Sequence, residues 1–255
     1  LTSAVTASQR LSPVSYIGAN TFFFHQGEQI SLTTLQKRLA AAGYANVKQV
    51  LAAGEFAVRG SIVDVFPMGS ERPFRLDFFD DEIESIRWFD VDTQRSMESA
   101  EEIRLLPGHE FPVDPEALLA FRQRWRREFA GDPKKSIVYC DIEKEILPPG
   151  IEYYLPLFFD ETAALTDYLP PNARVFLLGD IEAALQAFGR DMASRYKVFA
   201  ADPQRPALAP ERIWLKPEEF FKSLANFARF TVEKKENAED LKRLSGIEVD
   251  RKSQN

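Results

Sequence analysis

The sequence predicts a mixed α+β protein: a small α+β domain with an antiparallel sheet, followed by a mixed α/β region. Between residues 21 and 108, runs rich in Val, Ile and Phe follow one amphipathic helix. Two of these runs meet at Asp80-Asp81, a pair that favours a tight turn. The chain has 255 residues, 45% of them hydrophobic, which is enough for one large domain or two small ones.

Residues 1–20 are interpreted as the tail of a preceding element. Residues 21–25 form an apolar, strand-like run followed by turn residues. Ser31 is the expected N-cap of a helix, because apolar residues then repeat at helical spacing until Gly43. This stripe predicts a helix that packs one face on the core.

A dense β region follows. Residues 56–66 read as one β-rich stretch, in which Gly60 suggests a bulge or a close backbone contact. Residues 74–79 and 83–89 are predicted to form an antiparallel hairpin around Asp80-Asp81. We therefore expect a compact α+β domain over residues 21–108.

Residues 74–79 are the most informative stretch, because side chains alternate between the two faces of a strand. One face should be buried, and it carries Phe74, Leu76 and Phe78. Arg75 and Phe79 then lie on the opposite face, and Arg59 on a nearby strand could extend them. Two interpretations stay open: a surface Phe covered by a loop, or a protein-binding patch with Arg and aromatic anchors.

The sequence changes character after residue 108. Several prolines predict a linker, and Asp114-Pro115 predicts the start of a helix up to residue 130. The polar face of that helix is either a solvated surface or a phosphate contact, and it carries Arg122, Arg124, Arg126 and Arg127.

The last third of the chain reads as mixed α/β. Residues 174–180 are interpreted as a buried strand ending in Asp180, with a helix over 181–188. Another helix is expected over 218–224. From Thr231 onward the chain is charged and poor in apolar residues, which predicts a flexible tail.

The net charge of the chain limits the classes of binding partner that we expect. The formal net charge is −7, and residues 21–108 hold 9 basic and 14 acidic residues, a net of −5. Autonomous nucleic-acid binding is therefore not expected, since it normally needs a basic face. Roughly 20 consecutive apolar residues would be needed to span a membrane, and no such run is present. The single cysteine excludes an internal disulfide and weakly favours the cytoplasm.

The sequence contains few of the residues and motifs that are typical of enzyme active sites. The chain has two histidines, far apart, and no Gly-Lys pair, so the phosphate-binding P-loop motif is absent. We expect neither a cofactor nor a metal. The acidic run from Asp77 to Glu84 could hold a divalent cation, although a solvated hairpin tip is favoured. A nucleotide- or metal-dependent enzyme using Asp180 or this acidic run remains the alternative function.

Two segments carry a family resemblance. Gly54-Glu55-Phe56-Ala57-Val58-Arg59-Gly60-Ser61-Ile62-Val63-Asp64-Val65-Phe66-Pro67 and Arg75-Leu76-Asp77-Phe78-Phe79-Asp80-Asp81-Glu82-Ile83-Glu84 resemble the region shared by UvrB and the transcription-repair coupling factors (Mfd). The resemblance covers about residues 1–215. Gly179-Asp180-Ile181-Glu182 departs from the Asp-Glu pair that UvrB has there, which favours the coupling-factor family.

The resemblance implies a non-catalytic adaptor that recruits UvrA in transcription-coupled nucleotide excision repair. The family's UvrA contacts fall on Arg59, Arg75 and Phe79. It also implies three parts: 1–20 as the remnant of a preceding α/β domain, 21–108 as the interaction domain, and 109–215 as a degenerate helicase-like α/β domain. The residues themselves predict a fourth part, 216–255, as a helix with a flexible charged tail. In the full-length family protein, an ATP-dependent DNA translocase, other domains contact RNA polymerase and DNA.

Overall fold

The structure, a computed structural model, describes residues 1–232. The first half contains α1 Ala4–Ala7, α2 Val14–Ala19, β1 Phe22–His25, α3 Leu32–Ala41, β2 Ala45–Asn46, β3 Glu55–Arg59, β4 Ile62–Val65, β5 Phe74–Phe79, β6 Glu82–Phe89, β7 Ser96–Ala100 and β8 Glu102–Leu105. The second half contains α4 Pro115–Glu128, α5 Ile137–Glu143, β9 Arg174–Leu178, α6 Ile181–Phe199, α7 Pro210–Ile213, α8 Pro217–Ser223 and β10 Ala228–Val232.

The expected α+β class is confirmed. Strands β2 to β7 form one six-stranded sheet in sequence order. Every neighbouring pair in it is antiparallel except β2–β3. Strands β1 and β8 form a separate antiparallel pair. Because most connections are short hairpins, the sheet is a meander.

The main core lies between α3 and one face of the six-stranded sheet. Ser31 caps α3 as predicted, accepting a hydrogen bond from the Thr34 backbone N–H at 3.2 Å. The apolar side of α3 packs through Leu35 and Leu39. The predicted buried face of β5 is confirmed, because this core contains Phe74, Leu76 and Phe78.

The interpretation of Gly60 as a bulge is wrong. Arg59 pairs with Ile62, so Gly60 and Ser61 form a two-residue turn between β3 and β4. Gly60 has a φ of +63°, which glycine adopts without steric cost, and the chain reverses there instead of continuing as one strand. The predicted turn at Asp80-Asp81 is confirmed, with Asp80 at a φ of +51°.

A second core forms around α4, whose Asp114 cap accepts from the Ala117 backbone N–H at 3.0 Å. Its aromatic centre is formed by rings that contact one another, namely Phe121, Trp125 and Phe158.

The C-terminal part holds a parallel pair, β9 and β10. The prediction of a buried strand at 174–180 is wrong, since Phe176 and Leu178 are exposed; among residues 1–232, β10 is the sheet neighbour of β9 and leaves one face open. The predicted tail begins too early, because Thr231 and Val232 belong to β10. The remainder of that tail, residues 233–255, lies outside the described residues.

The N-terminal residues pack against this C-terminal part. The Arg10 guanidinium donates to both Glu219 carboxylate oxygens, at 3.0 and 2.9 Å. The backbone of Leu11 pairs with Ala163.

The four-part division of the chain stays a prediction. Within residues 1–232, no helix has the length and apolarity needed to cross a bilayer.

Gly108 closes the interaction domain against the end of α3. Its backbone N–H donates to the Ala42 carbonyl at 2.6 Å, and a Cβ at Gly108 would lie 2.6 Å from the Gly43 carbonyl oxygen. We expect Gly108→Ala to lower the free energy of unfolding by about 1–3 kcal/mol, because backbone atoms must move. Urea denaturation measures this. Gly189→Ala in α6, where a Cβ meets open space, is the control and should not destabilise.

His109 follows Gly108 and stacks on Phe111, with ring centroids 5.6 Å apart. Burial lowers the pKa of His109 below its usual 6.5. The unfolded chain therefore binds the proton more readily, and stability is lost as the pH falls below about 6.5. We expect His109→Gln to reduce this pH dependence of the free energy of unfolding, measured in urea between about pH 7.5 and 5.5. His25→Gln, at an exposed histidine, is the control. The prediction is contradicted if His109→Gln changes the pH dependence of the free energy of unfolding no more than His25→Gln does.

Candidate protein-binding site

The sheet face opposite α3, here called the second face, carries the predicted site residues. Residues paired in register project to the same face. One row across the sheet comprises Ala57, Asp64, Arg75 and Arg87, and the next comprises Arg59, Ile62, Asp77 and Ser85. Arg59 and Arg75 therefore share this face, on adjacent rows.

Asp64 links the two arginines. Its side chain is 1% exposed, yet it is an acid in the middle of β4. Arg75 binds it through two hydrogen bonds, Nε to Oδ1 at 2.6 Å and Nη2 to Oδ2 at 3.0 Å. Arg59 Nη2 also donates to Oδ2. Two guanidinium groups thus compensate one buried carboxylate, which could not stay charged there without partners.

Arg75 makes little of its guanidinium available to solvent. Its side chain is 13% exposed, and Nη1 donates to the Gln94 carbonyl at 3.2 Å and to the Ser96 hydroxyl at 3.1 Å. The guanidinium also lies over the Phe89 ring, 4.9 Å from its centroid. Hydrogen bonding to Asp64 raises the pKa of Arg75, so the group is charged at every physiological pH.

A small cluster packs beneath this arginine. Val50, Ala57 and Phe89 are buried on the second face, with Val47 and Phe66 partly buried against them. Phe89 lies on this side because it follows Arg87 by two residues in β6. The β5–β6 register shift between Asp77 and Phe78 offsets the alternation, so that Ile83 and Ile86 both face the main core. One end of the second face is therefore covered, which the strand alternation alone did not reveal.

The opposite end, here called the turn end, is open. It carries the turns at Gly60-Ser61 and Asp80-Asp81, which lie side by side because the Phe78 N–H donates to the Ser61 carbonyl at 2.9 Å. Phe79 is 69% exposed there, as the alternation predicts. The Arg59 side chain is 48% exposed and follows the same edge. The structure thus brings an exposed aromatic ring and a half-exposed guanidinium to one end of the sheet.

Sequence reasoning missed Asp64. The signal was available, because Val63-Asp64-Val65 places one acid between β-branched residues that must be buried. A buried carboxylate requires cationic or hydrogen-bonding partners, and Arg75 lies directly opposite it in the hairpin register.

The residues of the alternative enzymatic hypothesis have structural contacts. Asp180 caps α6, accepting from the Ala183 N–H at 2.9 Å. Asp77 accepts from the Ser85 hydroxyl at 2.8 Å, and Glu82 accepts from Gln29 at 2.8 Å. Within the described part of the chain, no three His, Cys, Asp or Glu side chains gather at a possible metal site.

Three arginines of α4 are also engaged by protein groups. Arg122 pairs with Glu143 at 3.7 Å, and Arg124 with Asp160 at 2.6 Å. Arg126 donates to the Tyr139 hydroxyl and lies over its ring. The sequence predicted a solvated face or a phosphate contact; in the structure these three arginines are bound by protein groups.

Comparison with known proteins assigns the interaction domain. The family model described as "UvrB interaction domain" matches residues 22–111. This range contains α3, the six-stranded sheet, the β1–β8 pair and the second face. The class of protein is thus one that carries a UvrB interaction domain, a non-catalytic interaction module.

Relatives of known name match most of the chain. The transcription-repair-coupling factor of Escherichia coli K12 is 44% identical over 225 residues, covering 88% of this chain and 20% of the relative. That of Haemophilus influenzae is 44% identical over 229 residues, 89% of this chain and 20% of the relative. The Bacillus subtilis factor is 33% identical over 183 residues. The chain is similar to transcription-repair-coupling factors over most of its length, and it spans about one fifth of the length of the first two of these relatives.

Removing Arg75 should destabilise the domain. Arg75→Ala leaves the buried Asp64 carboxylate with Arg59 alone and uncovers Phe89, so we expect the free energy of unfolding to fall by about 3 kcal/mol. Urea denaturation of the whole chain measures this loss. Arg87→Ala, opposite Arg75 in register but exposed, is the matched control. Equal losses of stability in Arg75→Ala and Arg87→Ala would contradict the role of Arg75 in compensating the buried Asp64 carboxylate.

Proposed function

We propose that this chain docks UvrA through the turn end of the second face and acts as a non-catalytic adaptor in transcription-coupled nucleotide excision repair. The observation that carries the proposal is the 69% exposure of Phe79 at the end of a strand whose alternate residues fill the main core. Because the Phe79 backbone belongs to β5, docking the ring orders one side chain rather than a loop, which limits the entropic cost.

Arg59 supplies the polar part of the proposed contact. Its half-exposed guanidinium can donate charge-assisted hydrogen bonds to acceptors on UvrA while Phe79 enters an apolar recess. Arginine and aromatic residues dominate the energetics of protein interfaces, which supports this pair as the principal anchors. Arg75, the third residue of the proposed site, is mostly buried and contributes chiefly by holding its neighbours.

The other partners belong to other parts of a longer protein. The relatives are about five times as long as the matched region. We place contacts with RNA polymerase and DNA, and ATP-driven translocation, in those parts. The net charge of −5 over residues 21–108 also opposes DNA binding by the interaction domain. The proposal places the chain in the cytoplasm.

Binding to purified UvrA of the same organism tests the proposal. We expect Phe79→Ala and Arg59→Ala each to weaken binding by about 2 kcal/mol, roughly a thirtyfold rise in Kd by calorimetry. Each truncation removes a solvent-accessible anchor without entering the main core.

Matched controls exist on the same domain. Phe23 on β1 is 52% exposed, and the Arg72 side chain is 56% exposed and pairs with Glu98. Phe23→Ala and Arg72→Ala should bind UvrA like the unaltered chain. The proposed site is abandoned if the site variants keep full affinity, or if the control variants lose as much.

A further inference from the structure

The Asp64 carboxylate has more cationic neighbours than its own charge requires. Arg75 alone satisfies both oxygens through Nε and Nη2. Arg59 nevertheless adds a third donor at Oδ2, reaching across from β3. Both contacts stabilise the buried carboxylate, but Arg75 alone neutralises its charge, so the Arg59 contact is free to serve a second purpose.

The anchoring of Arg59 is one-sided. A guanidinium has five N–H donors in one plane, and Asp64 engages Arg59 at Nη2. The side chain is 48% exposed, and Asp64 is the hydrogen-bond partner that the described structure gives its guanidinium, so donors remain for a partner. A free arginine samples many rotamers, and binding must then restrict them. A carboxylate that already holds one end removes part of that entropic cost.

The charge arithmetic favours an acidic group on the partner. Across the two rows of the second face, three arginines (Arg59, Arg75 and Arg87) against two acids (Asp64 and Asp77) leave a net charge of +1, within a domain of net charge −5. A carboxylate next to an apolar recess would complement Arg59 and Phe79 together, because a guanidinium fork binds a carboxylate in a bidentate manner.

We infer that Asp64 is a positioning residue for docking: it presents Arg59, in a fixed orientation, to a carboxylate on the partner surface that also receives Phe79. This inference rests on the proposed function. It assigns a binding role to a buried acid that touches no partner, and it divides the arginines into Arg59, which contacts the partner, and Arg75, which holds Asp64.

A double-mutant cycle with UvrA tests the inference. The variants of the full chain are Arg59→Ala, Asp64→Asn and the double variant, with affinities measured by calorimetry. If Asp64 acts through Arg59, Arg59→Ala should raise Kd about thirtyfold, Asp64→Asn about tenfold, and the double change about thirtyfold rather than about three-hundredfold. A merely structural Asp64 would lower affinity equally with or without Arg59.

Two further variants guard the interpretation. Asp90→Asn alters an acid of the same domain that accepts from the Thr93 N–H at 2.7 Å, away from the turn end, and it should leave Kd within about twofold. Asp64→Glu keeps the charge but moves the carboxylate by one methylene. It replaces Asp64→Asn in the double-mutant cycle if Asp64→Asn does not fold. It should raise Kd in the presence of Arg59 and have no effect in the Arg59→Ala background.

The outcomes separate the two proposals. Loss in Arg59→Ala with unchanged affinity in the Asp64 variants, or additive losses, overturns the positioning role and leaves the proposed function intact. No loss in Arg59→Ala overturns the positioning role too, and Phe79→Ala then decides the proposed function alone. Coupled losses support both.

Discussion

The buried Asp64 carboxylate is the constraint on which the second face of the six-stranded sheet depends. It sits in β4 between two residues of the main core, so it cannot turn toward solvent without breaking the strand. Its charge requires cations, and β3 and β5 each supply one. Arg75 then reaches the Gln94 carbonyl, so the same ion pair connects the β6–β7 turn to the centre of the sheet.

The two faces of the six-stranded sheet therefore have different roles. The main core on the α3 side supplies most of the apolar burial and holds the strands in register. The second face has its own small cluster at one end and exposed residues at the turn end. Rigid strands with tight two-residue turns keep those exposed residues in place, so recognition groups can be presented without a mobile loop.

Much of the interaction domain follows from local sequence rules. The Ser31 cap, the alternation over 74–79 and the Asp80-Asp81 turn each depend on a few adjacent residues, and all three were predictable. The environment of Arg75 was not, because it depends on the β5–β6 register shift that offsets the alternation in β6 and leaves Phe89 on the second face. The exposure of Phe176 was also not predictable, since an apolar strand pattern does not reveal whether a neighbouring element covers it.

Two anchors alone do not make an interface. A stable protein–protein contact buries roughly 800 Å² on each partner, far more than Arg59 and Phe79 together can provide. The footprint of the proposed UvrA contact must therefore extend from the turn end along the open part of the second face. The row of Arg59 also holds Ile62, Asp77 and Ser85, one apolar and two polar side chains that are half-buried and suit an interface rim. In that arrangement the Asp64 ion pair lies beneath the centre of the footprint, where excluding water would strengthen the hold on Arg59 rather than weaken it.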